Sequence, residues 1–190
     1  MNALRVALAG IVAVWLAGCL PESEHPVAAV DPVQDDARLW GAWLHVAEDG
    51  FSIAHVFSME DKSLQIVVMD HDVEGIGADP ETYTAHATRL PSGDYLNVLV
   101  TGSETGYLVL KYSFKGTDLL SITFPSDDVL KAAVKSGALA GTITDEGGGM
   151  RDLKITASSK QWQDFLAKAP KDFFSDPLEF QRVGPAYVSE

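Results

Sequence analysis

From Leu39 to Phe124 apolar residues recur at every second position, in short runs broken by turn residues, and this confines the chain to a sheet. Trp40, Ala42, Leu44 and Val46 alternate with Gly41, Trp43 and His45, and Asp49-Gly50 then supplies a two-residue hairpin signal. Folding about that dipeptide sets Val46 opposite Ile53, Leu44 opposite His55, Ala42 opposite Phe57 and Trp40 opposite Met59. The apolar residues of both strands then share one face. The same pairing predicts that His45 and His55 lie on opposite faces, which argues against a shared zinc ion. His55 falls on the apolar face and is expected as a hydrogen-bonded core histidine.

The alternation continues in Leu64, Ile66 and Val68, in Tyr83 to Leu90, and in Leu96, Val98 and Val100. Pro91-Ser92-Gly93-Asp94 and the glycine-flanked stretch 102–106 separate these from Leu108, Leu110, Tyr112 and Phe114. Lys115-Gly116-Thr117-Asp118 turns the chain again into Leu120, Ile122 and Phe124. Two helices follow. Ser126 is the expected N-cap of the first, with Asp127 and Asp128 in its first turn and Gly137 at its end. Leu139 to Ile143 and Leu153-Ile155 are expected strands on either side of Gly147-Gly148-Gly149. Ser158 to Gln161 fits a capping box for the second helix, with Trp162, Phe165, Leu166 and Ala169 on one face and Pro170 as its stop. Leu178 and Phe180 mark a last strand. The expected class is mainly β: an antiparallel meander closing into a barrel, with two short packed helices. A β-sandwich is the alternative.

Eight or more antiparallel strands, a packed helix and a final strand resemble the lipocalin and wider calycin barrels. Gly41-Ala42-Trp43 is similar to the Gly-x-Trp that opens lipocalin barrels. The resemblance implies a lipocalin-like β-barrel with Trp43 buried at its floor. The hairpin register above turns Trp43 away from the main apolar face, so the two expectations conflict.

The first 18 residues have the parts of a secretory signal peptide: Arg5, then an apolar core from Val6 to Gly18. That core is about 13 residues, where a membrane-spanning helix needs roughly 20. Leu16-Ala17-Gly18-Cys19 resembles the lipobox of bacterial lipoproteins. The resemblance implies lipidation of Cys19, cleavage before it, and anchoring of the mature chain in the cell envelope. Leu20, where an aspartate would mark inner-membrane retention, favours the outer membrane. Stable anchoring follows from acyl-chain energetics, since each buried methylene contributes about 0.8 kcal/mol and two or more chains hold firmly. Residues 19–37 carry several prolines and acidic residues without helical or strand periodicity, and are expected as a lipidated N-terminus and flexible tether. Residues 38–190 are expected as a single barrel-like domain.

A formal charge of −13 opposes binding to a nucleic-acid backbone or, through a basic patch, to anionic lipid heads. Cys19 is the single cysteine, so the domain has no disulfide and relies on its core. Asp70, Asp72 and Glu74, with Gly75 and then Glu81, follow much of the spacing of a calcium loop, in which alternating carboxylates wrap a hard cation. Strands on both flanks favour a solvated acidic loop over a calcium site. Trp40, Phe57, Tyr112, Phe114 and Phe124 occupy expected inward positions and are candidate ligand-cavity residues. No nucleophile motif or zinc-protease pattern occurs, which leaves no catalytic residue to nominate. The expected role is a non-enzymatic outer-membrane lipoprotein whose domain binds a protein partner or envelope component. A carrier of a small apolar ligand and a calcium-dependent module are the alternatives.

Overall fold

A computed structural model of the chain describes residues 21–29, 36–74, 77–100, 106–145 and 151–184. Eight antiparallel strands form a closed barrel. They are β2 (Gly41–Ala47), β3 (Gly50–Ser58), β4 (Leu64–Asp72), β5 (Glu81–Leu90), β6 (Gly93–Val100), β7 (Gly106–Lys115), β8 (Leu119–Thr123) and β11 (Leu178–Arg182). The first seven meander in chain order. The last strand, β11, fills the gap between β8 and β2, with Phe180 opposite Leu120 and Gln181 opposite Leu44. Closure leaves no free edge in the barrel wall.

β7 is longer than the part β8 covers. Beyond β8, its first residues meet β1 (Glu22–Ser23), which continues the sheet into β10 (Arg151–Ile155) and β9 (Gly141–Asp145). Helix α1 (Asp127–Ser136) and helix α2 (Ser159–Leu166) pack with this side sheet. Ser126 caps α1 by accepting from the Val129 amide, and Gly137 ends it in the left-handed conformation at φ 73°. Ser158 and Gln161 complete the capping box of α2. Among the described residues no helix is long and apolar enough to cross a membrane.

Two cores result. Even-numbered residues of β6 and β7, among them Leu96, Val98, Leu108 and Leu110, point into the barrel with Leu64, Ala85 and Leu120. Their odd-numbered neighbours Tyr95 and Val109 face outward into a second core with Leu130, Leu153, Ile155, Trp162, Leu166 and Phe173. One stretch of wall therefore serves two cores, which explains why β6 reads as nearly continuous apolar sequence.

The first hairpin differs from expectation in register and in face. Leu44 pairs with Ile53 and Ala42 with His55, two residues away from the pairing centred on Asp49-Gly50. The turn is Glu48-Asp49, and Gly50 already belongs to β3. Its glycine is required by a close approach rather than by the turn, because a Cβ there would stand 2.0 Å from the His71 carbonyl oxygen. A two-residue shift keeps the same residues together on each face. The inner face, however, is that of Trp43, Ala54 and Val56, while Leu44, Ile53 and His55 lie on the other. Trp43 is fully buried inside the barrel.

The N-terminal segment is a second correction. Residues 21–29, expected as part of the tether, are built into the second core. Val27 is fully buried, and its amide donates to Asn97 Oδ1 at 2.9 Å. Asn97 is itself buried in β6, with Nδ2 donating to Thr88 Oγ1 at 3.1 Å. The Trp162 indole N–H donates to Ser23 Oγ at 2.8 Å, and Ser159 Oγ to the Pro26 carbonyl at 2.7 Å. Proline and acidic content suggested disorder. Backbone groups of Pro26 and Val27 and the Ser23 hydroxyl, bonded to a barrel asparagine and to α2, supply the order instead.

Candidate functional site

The barrel interior is the natural place to look for a ligand site. It encloses a cavity of about 90 Å³ whose wall includes Leu39, Trp43, Val56, Leu96, Ile122 and Phe180. The lining is apolar throughout. Sites for drug-sized ligands run to roughly 300 Å³ or more, and an engineered apolar cavity of about 150 Å³ accepts benzene. The space here therefore suits a group of only a few carbon atoms. Side chains fill the rest: Trp43 lies 5.9 Å from Phe114 between ring centroids, and Tyr112 meets the same phenylalanine edge-on at 5.9 Å.

One end of the barrel is closed by a short 3-10 turn, Ala37–Leu39, which inserts Leu39 into the core. Arg182, at the end of β11, braces that turn. Its Nη1 and Nη2 donate to the carbonyls of Trp40 and Arg38, both at 2.6 Å, and its Nε donates to Thr117 O at 3.1 Å. The guanidinium carbon stands 4.0 Å from the Trp43 ring centroid. Beside it, Arg38 and Arg89 pair with Asp36 and Asp94 at 2.6 to 3.5 Å. Tyr112 donates its hydroxyl to Asp36 Oδ2 at 3.0 Å from inside the barrel. Burial alone would raise the Asp36 carboxyl, but hydrogen bonds from Arg38 and Tyr112 outweigh it and hold the group below its ordinary 3.8. Burial, with the Asp36 charge and hydrogen bond, pushes the Tyr112 hydroxyl well up, so it remains a donor. A cleft of about 290 Å³ outside this plug is lined by Arg38, Phe114, Thr117, Asp118 and Arg182. Both arginines there are already bonded to carbonyls or carboxylates.

At the other end, the acidic loop does not gather its carboxylates. Ser52 Oγ bonds Asp70, the Asp72 carboxylate accepts from the Glu74 amide at 2.9 Å, and Glu81 accepts from the Tyr83 hydroxyl. Gly75 lies outside the described residues. Among the described residues no three His, Cys, Asp or Glu side chains converge on one point as metal ligands would. His71 stacks on Phe51 at 4.7 Å, and His45 contacts Phe180 at 5.1 Å while bonding the Glu179 carbonyl. His55 stacks on Phe57 at 6.2 Å on the face away from the barrel core.

Of the aromatic candidates, Tyr112, Phe114 and Phe124 join the barrel core, and Phe124 lines the cavity. Trp40 packs at the edge of that core. Phe57 shares the face of His55 and stands apart. Sequence reasoning left Trp43 between two conflicting expectations and did not nominate Leu39 or Arg182 as cavity or plug residues. Gly41-Ala42-Trp43 carried the signal for the first; nothing local marked Arg182. Cys19 lies outside the described residues. In comparisons with known proteins, the chain matches no family model, no curated protein and no solved structure.

Proposed function

We propose that this chain is an envelope lipoprotein, acylated at Cys19 and held on the outer membrane. Its barrel domain is a non-enzymatic module that binds a protein partner or another envelope component. The supporting observation is the lipobox-like Leu16-Ala17-Gly18-Cys19 at the end of an uncharged apolar run. Pro21 is the first described residue and is already buried, two positions after the cysteine of Leu16-Ala17-Gly18-Cys19. The small interior cavity favours the outer wall and loops over the interior as the binding surface. Cys19→Ser tests the reading: the wild type incorporates labelled palmitate and sediments with membranes, while the variant loses the label and leaves the membrane fraction. Unchanged sedimentation of an unlabelled wild type would refute it.

The wholly apolar cavity supports a second reading, a carrier of a small apolar molecule. Native mass spectrometry of the domain decides it. A co-purifying apolar ligand supports the carrier, and a bare mass counts against it.

A further inference from the structure

We infer that the body rests directly against the bilayer that holds its lipid, seated where β1 meets β7 and β10, with no slack between anchor and fold. The inference depends on acylation of Cys19 as proposed above, and adds which part of the surface meets the lipid.

Residue after residue behind the anchor is fixed. Pro21 is buried, and Glu22 pairs with Lys154 in β10. The Glu22 side chain lies so close to β7 that a Cβ on Gly106 would come within 2.9 Å of its Oε2. Ser23 is fully enclosed and accepts from Trp162, and the Glu24 amide donates to the Ile155 carbonyl at 2.8 Å. Pro26 and Val27 accept from Ser159 and Gln163 of α2 at 2.7 and 3.1 Å. Leu20 alone separates Cys19 from this clamped segment. Two residues of extended chain reach about 7 Å. A free coil of the length expected for the tether would span on the order of 20 Å. With so short a reach, the acyl chains bring the start of β1 and the surface around it into the headgroup region. β3 lies four strands from β7 around the eight-strand barrel, so the turn between β3 and β4 is at the far side.

The test uses the lipidated full chain in vesicles of phosphatidylethanolamine and phosphatidylglycerol carrying an energy-acceptor lipid. Acylation consumes the chain's single cysteine, so one introduced thiol can be labelled alone. Lys160→Cys on α2 reports the seat, and Glu60→Cys in the β3–β4 turn reports the far side; both residues are exposed. Energy transfer to the lipid is expected to be several-fold greater from position 160. A Gly-Ser insertion between Leu20 and Pro21 is expected to erase most of that difference. Equal transfer from both positions in an acylated, uninserted chain overturns the seat while leaving the anchor intact. A purified chain without acyl mass overturns both, so the two failures are distinguishable.

Discussion

Arg182 lies over Trp43, its guanidinium carbon 4.0 Å from the ring centroid, while its two terminal nitrogens hold the carbonyls of Arg38 and Trp40. The last barrel strand thereby ties down the turn that enters the first. Closure of the barrel and closure of its end are one event at this residue. Replacing Arg182 with alanine is expected to cost about 2–4 kcal/mol through lost stacking and unpaired carbonyls. Lysine keeps the charge but not the planar fork, and should recover only part of the loss. Urea midpoints at constant slope measure both.

Asp36 gives the plug a defined acid response. Its carboxyl titrates below 3.8 in the folded protein, so on acidification the unfolded chain takes up its proton first. The stabilisation is complete above the unfolded value and is lost as pH falls through that value toward the folded one. Asp36→Asn is therefore expected to lower stability at neutral pH and flatten its decline below about pH 5. Tyr112→Phe removes a hydroxyl that holds the Asp36 carboxyl down, so it should lower stability at neutral pH and flatten the decline part of the way. Melting temperatures across pH 3 to 7 read both effects.

Asn97 joins the barrel wall to the N-terminal segment. Asn97→Leu leaves the Val27 amide without its acceptor and is expected to cost about 2–4 kcal/mol. Hydrogen exchange gives the sharper readout. The Val27 amide should lose protection by a larger factor than amides in β3 and β4, whose strand partners are β2, β5 and each other.

The cavity yields a prediction of opposite sign. Ala54 lines it beside its partner Trp43, so Ala54→Val adds methyl groups to unfilled space. A gain of about 0.5–1 kcal/mol is expected if the interior is only a packing defect. If the protein is a carrier, the same change should reduce retention of the co-purifying molecule.

The sequence made every strand after β1, most turns and both helix caps legible, because each has a local cause. Period-two alternation marks a strand, Ser126 and Ser158 mark helix starts, and Gly137 marks a helix end. Leu64, Leu96, Leu108 and Leu120 point inward as alternation implies. The first hairpin was harder because both of its faces are apolar: Leu44 and Ile53 on one, Trp43 and Val56 on the other. One large indole with small partners fills the interior, whereas counting apolar residues favours the other face. The glycine that resembled a turn residue is needed for contact with β4. The N-terminal segment eluded pattern reasoning because Asn97, Trp162 and Gln163, which hold it, lie some 70 to 139 positions away. The plug hid for the same reason: Arg182 reaches back 142 and 144 residues.

Intact mass of the protein extracted from membranes bears most directly on the anchored reading. The account predicts a polypeptide beginning at Cys19 and carrying the added mass of a diacylglyceryl group, with or without a further acyl chain. An unmodified polypeptide that retains Met1 to Gly18 would contradict it.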